Sequence, residues 1–196
     1  MKPITSSDFA STLEPVLRRS ITLEGDAVSG TQPLSDTLQA RALVFPVDYT
    51  IPRELFNALF STASQHFPAP VYLSLLERFA DESETSDWLV DPDGYEEYRR
   101  TVYNLPLEQV LYAGDGSWVL ILTTFNYGIL GSRSQGFVDD VRAAAPALFD
   151  TSALIADFRT SVEAEGHDLR DSWFIELLDH VYGPDEAKRL LSSESM

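Results

Sequence analysis

The chain has no cysteine, only two lysines, and no apolar run approaching the roughly 18 residues of a membrane span. Without cysteine there is no disulfide framework, thiolate nucleophile or zinc–thiolate site, which fits a reducing compartment and makes the cytoplasm the expected location. The opening M-K-P-I-T-S-S-D-F-A carries one lysine and nothing like a signal-peptide core, so a soluble protein without membrane contact is expected. Basic charge is scarce as well: 14 basic residues against 31 acidic give a formal charge of −17. Such a surface repels phosphates and anionic lipid and attracts cationic partners, which argues against nucleic-acid binding. More than half of the excess, −9, falls in residues 71–150.

What the chain does have is length and apolar content: 196 residues, 44% hydrophobic, enough for one substantial core. The most legible stretch is residues 107–130, L-E-Q-V-L-Y-A-G-D-G-S-W-V-L-I-L-T-T-F-N-Y-G-I-L, where two β-forming runs flank Asp115-Gly116. A two-residue turn there pairs Gly114 with Ser117, Ala113 with Trp118, Tyr112 with Val119, Leu111 with Leu120 and Val110 with Ile121. The run W-V-L-I-L has no polar alternation, so its strand should be covered on both faces inside a sheet, with Trp118 buried.

Elsewhere, Ser6 or Ser7 can cap a short helix through Phe9 and Leu13, followed by an apolar run that stops at Glu24-Gly25-Asp26. Polar residues 29–39 read as a surface loop, and residues 1–39 as a possible appendage. Residues 41–47 fit a strand that Pro46 ends or confines to an edge. Pro52 suits the start of a helix whose Leu55, Phe56, Leu59, Phe60 and Ala63 form one stripe. Residues 71–80 fit strand or helix, with strand preferred, and Trp88-Leu89-Val90 fits a further strand. A short helix through Tyr95, Tyr98 and Val102 follows the Asp91-Pro92-Asp93-Gly94 turn, and a helix bearing Phe137, Val138 and Val141 follows residues 132–136. From Asp150 the pattern is helical, with stripes Leu154, Ile155, Phe158, Val162 and Trp173, Phe174, Leu177, Leu178, Val181 ending at Gly166 and Gly183. The expected fold is a single α+β domain, a mainly antiparallel sheet around a central hairpin at about 107–124, packed by helices, with residues 150–192 helical.

Several motifs come close to known chemistry and fall short. G-S-R-S-Q-G at residues 131–136 has P-loop spacing between strand and helix, but Phe137 and Val138 stand where Lys and Ser or Thr should follow. A helix N-terminus with Arg133 could hold an anion, but a plain turn with a helix cap is the preferred reading. Ser134 lacks one glycine of the nucleophile elbow G-x-S-x-G. The D-x-D-G at residues 91–94 resembles an EF-hand loop, yet Leu89 and Arg100 occupy its first and last ligand positions. Glu176 and His180 share a helix face without a third ligand, and His66 and His167 lack ligand spacing. No cofactor, metal or catalytic residue is expected from these motifs.

The notable constellation is residues 81–97, D-E-S-E-T-S-D-W-L-V-D-P-D-G-Y-E-E, with eight carboxylates and no base. A charge run is usually a solvated loop, and Trp88 suits a core strand as well as a surface. As a functional surface it would steer a basic partner by charge and hold it by aromatic anchors. The partner-binding candidates are therefore Asp81, Glu82, Glu84, Asp87, Trp88, Asp91, Asp93, Tyr95, Glu96 and Glu97. In size, acidity and α+β pattern the chain resembles bacterial immunity and inhibitor proteins, a likeness of overall character rather than of motif. The expected function is electrostatic docking on a basic nuclease, toxin or nucleic-acid-binding protein. The alternatives are a structural or regulatory subunit and a carboxylate-based hydrolase.

Overall fold

A computed structural model describes residues 1–24, 27–47, 50–76, 85–103, 108–169 and 172–193. Gly25, Asp26, residues 77–80, Asp81, Glu82, Glu84, Pro106 and Leu107 lie outside them. The main sheet is antiparallel and seven-stranded. Its strands are β1 (Lys2–Pro3), β4 (Ala40–Val44), β5 (Val71–Leu75), β6 (Asp87–Val90), β7 (Gln109–Ala113), β8 (Trp118–Leu122) and β9 (Gly128–Ser132), in the order β1-β6-β5-β7-β8-β9-β4. A separate two-stranded ribbon joins β2 (Leu23–Glu24) to β3 (Ala27–Val28).

Strand β8 lies between β7 and β9, as its unbroken apolar run requires. Its residues alternate between two cores. Trp118, Leu120 and Leu122 face one side with Leu73, Leu111 and Leu130, under helices α3 (Arg53–His66), α4 (Tyr95–Val102) and α5 (Gln135–Ala144). Val119 and Ile121 face the other with Val110, Tyr112 and Ile129, under the N-terminal helical segment and helices α6 (Thr151–Ala164), α7 (Trp173–Tyr182) and α8 (Pro184–Ser193). Helices on both faces remove the need for a polar side, and each buried Leu, Ile or Val contributes about 1.5–3 kcal/mol. Trp118 is fully buried and stacks on Phe137 at 5.5 Å.

The β7–β8 register matches the sequence expectation at Val110↔Ile121, Leu111↔Leu120 and Tyr112↔Val119. The turn itself differs. Gly116 N donates to Ala113 O at 2.9 Å, so the tight turn is centred on Gly114-Asp115, and Gly116 follows at φ 71°. The expected Ala113–Trp118 and Gly114–Ser117 ladder pairs are replaced by a longer loop symmetric about the same point, while Ala113 pairs with Val71 of β5 across the other edge of its strand. Symmetry is what preserves the register.

Residues 29–39 form a loop that exposes Gly30, Gln32, Asp36, Thr37 and Gln39, as expected, but the loop also reaches inward. Leu34 and Leu38 are buried in the second core, 2% and 0% exposed, and the loop packs over Gly131, where a Cβ would meet Leu34 Cδ1 at 2.7 Å. A polar-looking stretch with leucines four apart can fill a hole that a glycine leaves. The N-terminal segment is likewise integrated. Thr5, rather than Ser6 or Ser7, caps helix α1 (Ser6–Asp8), which runs through a π-turn at Phe9–Leu13 into α2 (Glu14–Ser20). Phe9, Leu13, Val16 and Leu17 share the core of the C-terminal helices, while β1 extends the sheet beside β6.

Edge strand β4 is guarded rather than open. Leu43 N donates to Tyr182 Oη at 3.1 Å and Phe45 N to Leu148 O at 2.8 Å, which consumes outward amides that could pair with another chain.

Candidate functional site

Of the acidic constellation, Asp87 and Trp88 are strand residues before they are anything else. Strand β6 alternates, sending Trp88 and Val90 into the first core and Asp87 to the opposite face, where it is 2% exposed. There Ser74 Oγ donates to Asp87 Oδ1 at 2.7 Å and lies 3.1 Å from Tyr112 Oη. Neither Asp87 nor Trp88, itself 9% exposed, is presented to solvent as a docking group.

The rest of the stretch is a surface. Asp91 Oδ1 accepts from Asp93 N at 2.9 Å, closing the turn that leads into α4 and leaving both carboxylates exposed. Glu96 and Glu97 are exposed but locally compensated: Glu96 pairs with Arg53 and, at 3.5 Å, with Arg99, and Glu97 pairs with the N-terminal ammonium. Tyr95 is half-buried and works as a clamp. Its hydroxyl donates to Ile51 O at 3.2 Å, its ring meets the edge of Phe56 at 5.3 Å, and the Arg53 guanidinium lies 4.4 Å above it. Neighbouring Tyr98 accepts from Ile51 N at 3.2 Å, and its complete burial raises the phenol pKa well above the usual value.

The near-miss motifs have structural roles. Ser134 is the N-cap of α5, its Oγ accepting from Phe137 N, so the helix end considered for an anion is closed by its own serine. Arg133 turns back to donate to Asp115 O at 3.2 Å and braces the β7–β8 loop. His180 pairs with Arg41 rather than Glu176. Arg41 Nη1 lies 3.1 Å from Nδ1 and donates to the His180 carbonyl at 2.6 Å, while Leu34 N donates to Nε2 at 3.3 Å. Burial first, and the guanidinium second, lower the His180 pKa to about 4, because an imidazolium would turn N–H groups towards two donors. The pair ties the 34–38 segment to α7. His66 bonds Asp140 at 2.8 Å on the other side of the sheet. Among the described residues no group of three or more His, Asp or Glu side chains is placed to hold a metal ion, and no helix is long and apolar enough to cross a membrane.

Two clefts remain. An open apolar groove of about 670 Å³ lies between the end of α3 and β6, lined by Phe60, Phe67, Pro70, Leu89 and Pro92 with Lys2 at its rim. A smaller cleft of about 490 Å³ is walled by Phe125, Phe158 and Trp173, with Glu165, His167 and Asp168 around it. Phe125, 59% exposed, is one of two large hydrophobics that stand out from the described surface, with Tyr103. The β8–β9 loop displays it: Thr123 N and Oγ1 both donate to Tyr127 O, Thr123 Oγ1 accepts from Phe125 N, and Asn126 takes φ 62° while its carbonyl accepts from Val47 N. A left-handed non-glycine residue costs energy and persists only where its surroundings hold it. The ring of Phe125 is 5.9 Å from that of Trp173, which in turn meets Phe158 edge-on at 5.2 Å.

Sequence reasoning missed this group because its members lie far apart in the chain. The T-T-F-N turn, a large apolar residue beside an asparagine between two buried strands, is the signal that was there to read. Phe158 and Trp173 fit their helices' core stripes, yet both end half-buried at the cleft. No protein-family model, curated protein or solved structure matches this chain.

Proposed function

We propose that this chain is an acidic protein-binding domain that docks on, and inhibits, a basic partner such as a nuclease, toxin or nucleic-acid-binding protein. The observation that carries the reading is a charge of −17 with exposed carboxylates at Asp91 and Asp93 that have no cationic partner among the described residues. Such a field accelerates encounter with a cationic surface and is screened over about 8 Å at 0.15 M ionic strength. Because Glu96 and Glu97 already meet Arg53, Arg99 and the N-terminus, the steering falls to Asp91 and Asp93 together with Asp81, Glu82 and Glu84. Tyr95, occupied by Ile51 and Arg53, serves the fold.

The test is to immobilise the pure protein, pass lysate of the source cell over it at low salt and identify what elutes on a salt gradient. Capture of one basic protein, lost when Asp81, Glu82, Glu84, Asp91 and Asp93 are all changed to Ser, supports docking. Unchanged capture by that variant rejects this surface. Salt-insensitive co-purification instead favours a subunit held by an apolar face.

A further inference from the structure

We propose that the apolar groove between the end of α3 and β6 receives an apolar side chain of the basic partner, one flanked in that partner by lysine or arginine. The inference rests on the docking reading and deepens it, supplying an anchor that Trp88 and Tyr95 do not.

The groove is apolar to its floor. Phe60, Ala63, Val71 and Val90 reach it from the first core, and at about 670 Å³ it falls within the size of sites that enclose a ligand. Leu89 on its wall is half-buried and packs into neither core, so β6 leaves there an apolar side chain that the fold itself does not cover. Pro68, Pro70 and Pro92 also line it, and proline has no N–H to offer, which favours an apolar occupant over one that needs hydrogen-bond donors. The walls are set before anything binds: Phe67 N donates to Ala63 O at 2.8 Å, Gly114 N to Pro70 O at 2.8 Å and Gly94 N to Asp91 O at 2.9 Å. Little ordering is then required on association.

Charge decides which apolar group. Asp91 belongs to the groove and to the acidic surface at once, and Asp93 follows it in the same turn, both exposed and without a cationic partner among the described residues. An apolar side chain seated in the groove brings its neighbours in the partner's chain to these carboxylates, where a base is attracted and an acid repelled. Lys2, exposed on β1, is the one basic side chain among the described lining residues and acts in the opposite sense, while the N-terminal ammonium next to it is paired with Glu97. The sign of the occupant's charge is therefore testable from both sides of the groove.

The test uses the full chain with ¹³C-labelled methyl groups, read at Ala63, Val71, Leu89 and Val90, and the capped peptide acetyl-Arg-Leu-Leu-Arg-amide. Its controls replace both leucines by serine or both arginines by glutamate. Saturable movement of those methyl signals is expected with the first peptide alone. Asp91→Ser should weaken it about three-fold and Lys2→Glu strengthen it by a similar factor, in the range of one exposed ion pair. Ser64→Trp, at an exposed helix position on the groove's wall, should abolish it with the melting temperature unchanged. Methyl signals that stay still, equal binding of either control peptide, or a Lys2→Glu variant that binds more weakly would overturn the assignment. Salt-sensitive capture of a basic protein that survives Ser64→Trp undiminished removes the groove and leaves docking standing. Peptide binding with no basic protein captured overturns the docking reading and not the groove.

Discussion

Trp88 and Trp173 keep similar company in the sequence, each within a few residues of several carboxylates, yet the fold gives them opposite duties. Trp88 lies on a strand whose alternation drives it inward, with Asp87 sent to the other face to bond Ser74. Trp173 starts a helix whose inward stripe is filled by Phe174, Leu177, Leu178 and Val181, so its own ring is left at the rim beside Phe125. An aromatic residue among acids is thus not a docking anchor by composition alone. The period of its element and the supply of better-placed apolar neighbours decide.

The sharpest way to break this contrast is by stability. Trp118→Ala, at the centre of the first core, should cost about 3 to 5 kcal/mol, and Trp88→Ala, nearer the sheet edge, about 2 to 4 kcal/mol, both read from the urea midpoint. An unchanged midpoint for Trp118→Ala would contradict the buried hairpin. Phe125→Ala, by contrast, should stay within about 0.5 kcal/mol of wild type, as exposed sites do.

A smaller effect separates the two sides of the sheet by pH. His180 belongs to the second core's rim, and its folded pKa of about 4 lies below the ordinary histidine value of about 6.5. The unfolded chain therefore takes up a proton first. The histidine's contribution is complete above about pH 6.5 and fades as pH falls towards 4. For a partly exposed ring, solvent screening limits this to about 1 to 2 kcal/mol. The stability advantage of wild type over His180→Gln should shrink across that window; a constant advantage would show that the ring titrates normally.

Much of the fold was legible because local signals agreed. The β7–β8 register survived a misplaced turn, since a loop symmetric about Asp115 and Gly116 keeps the same residues opposite. The helices at Arg53–His66 and Trp173–Tyr182 follow their stripes. What escaped depends on contacts between distant segments. Leu34 and Leu38 are buried because Gly131 makes room for them, which no window around residue 34 reveals. The cleft escaped for the same reason, assembling a β-turn, a helix interior and a helix start. The acidic stretch misled in part because charge counting does not show that Arg53 and the N-terminus meet Glu96 and Glu97.

The most direct measurement is the association rate of the captured basic partner with wild type and with the variant in which Asp81, Glu82, Glu84, Asp91 and Asp93 are all changed to Ser, followed at low and at physiological salt. Wild type should associate about tenfold faster than the variant at low salt, and the difference should shrink at physiological salt, as screening of a steering field requires. Equal association rates at low salt would contradict the acidic surface as the element that steers the partner.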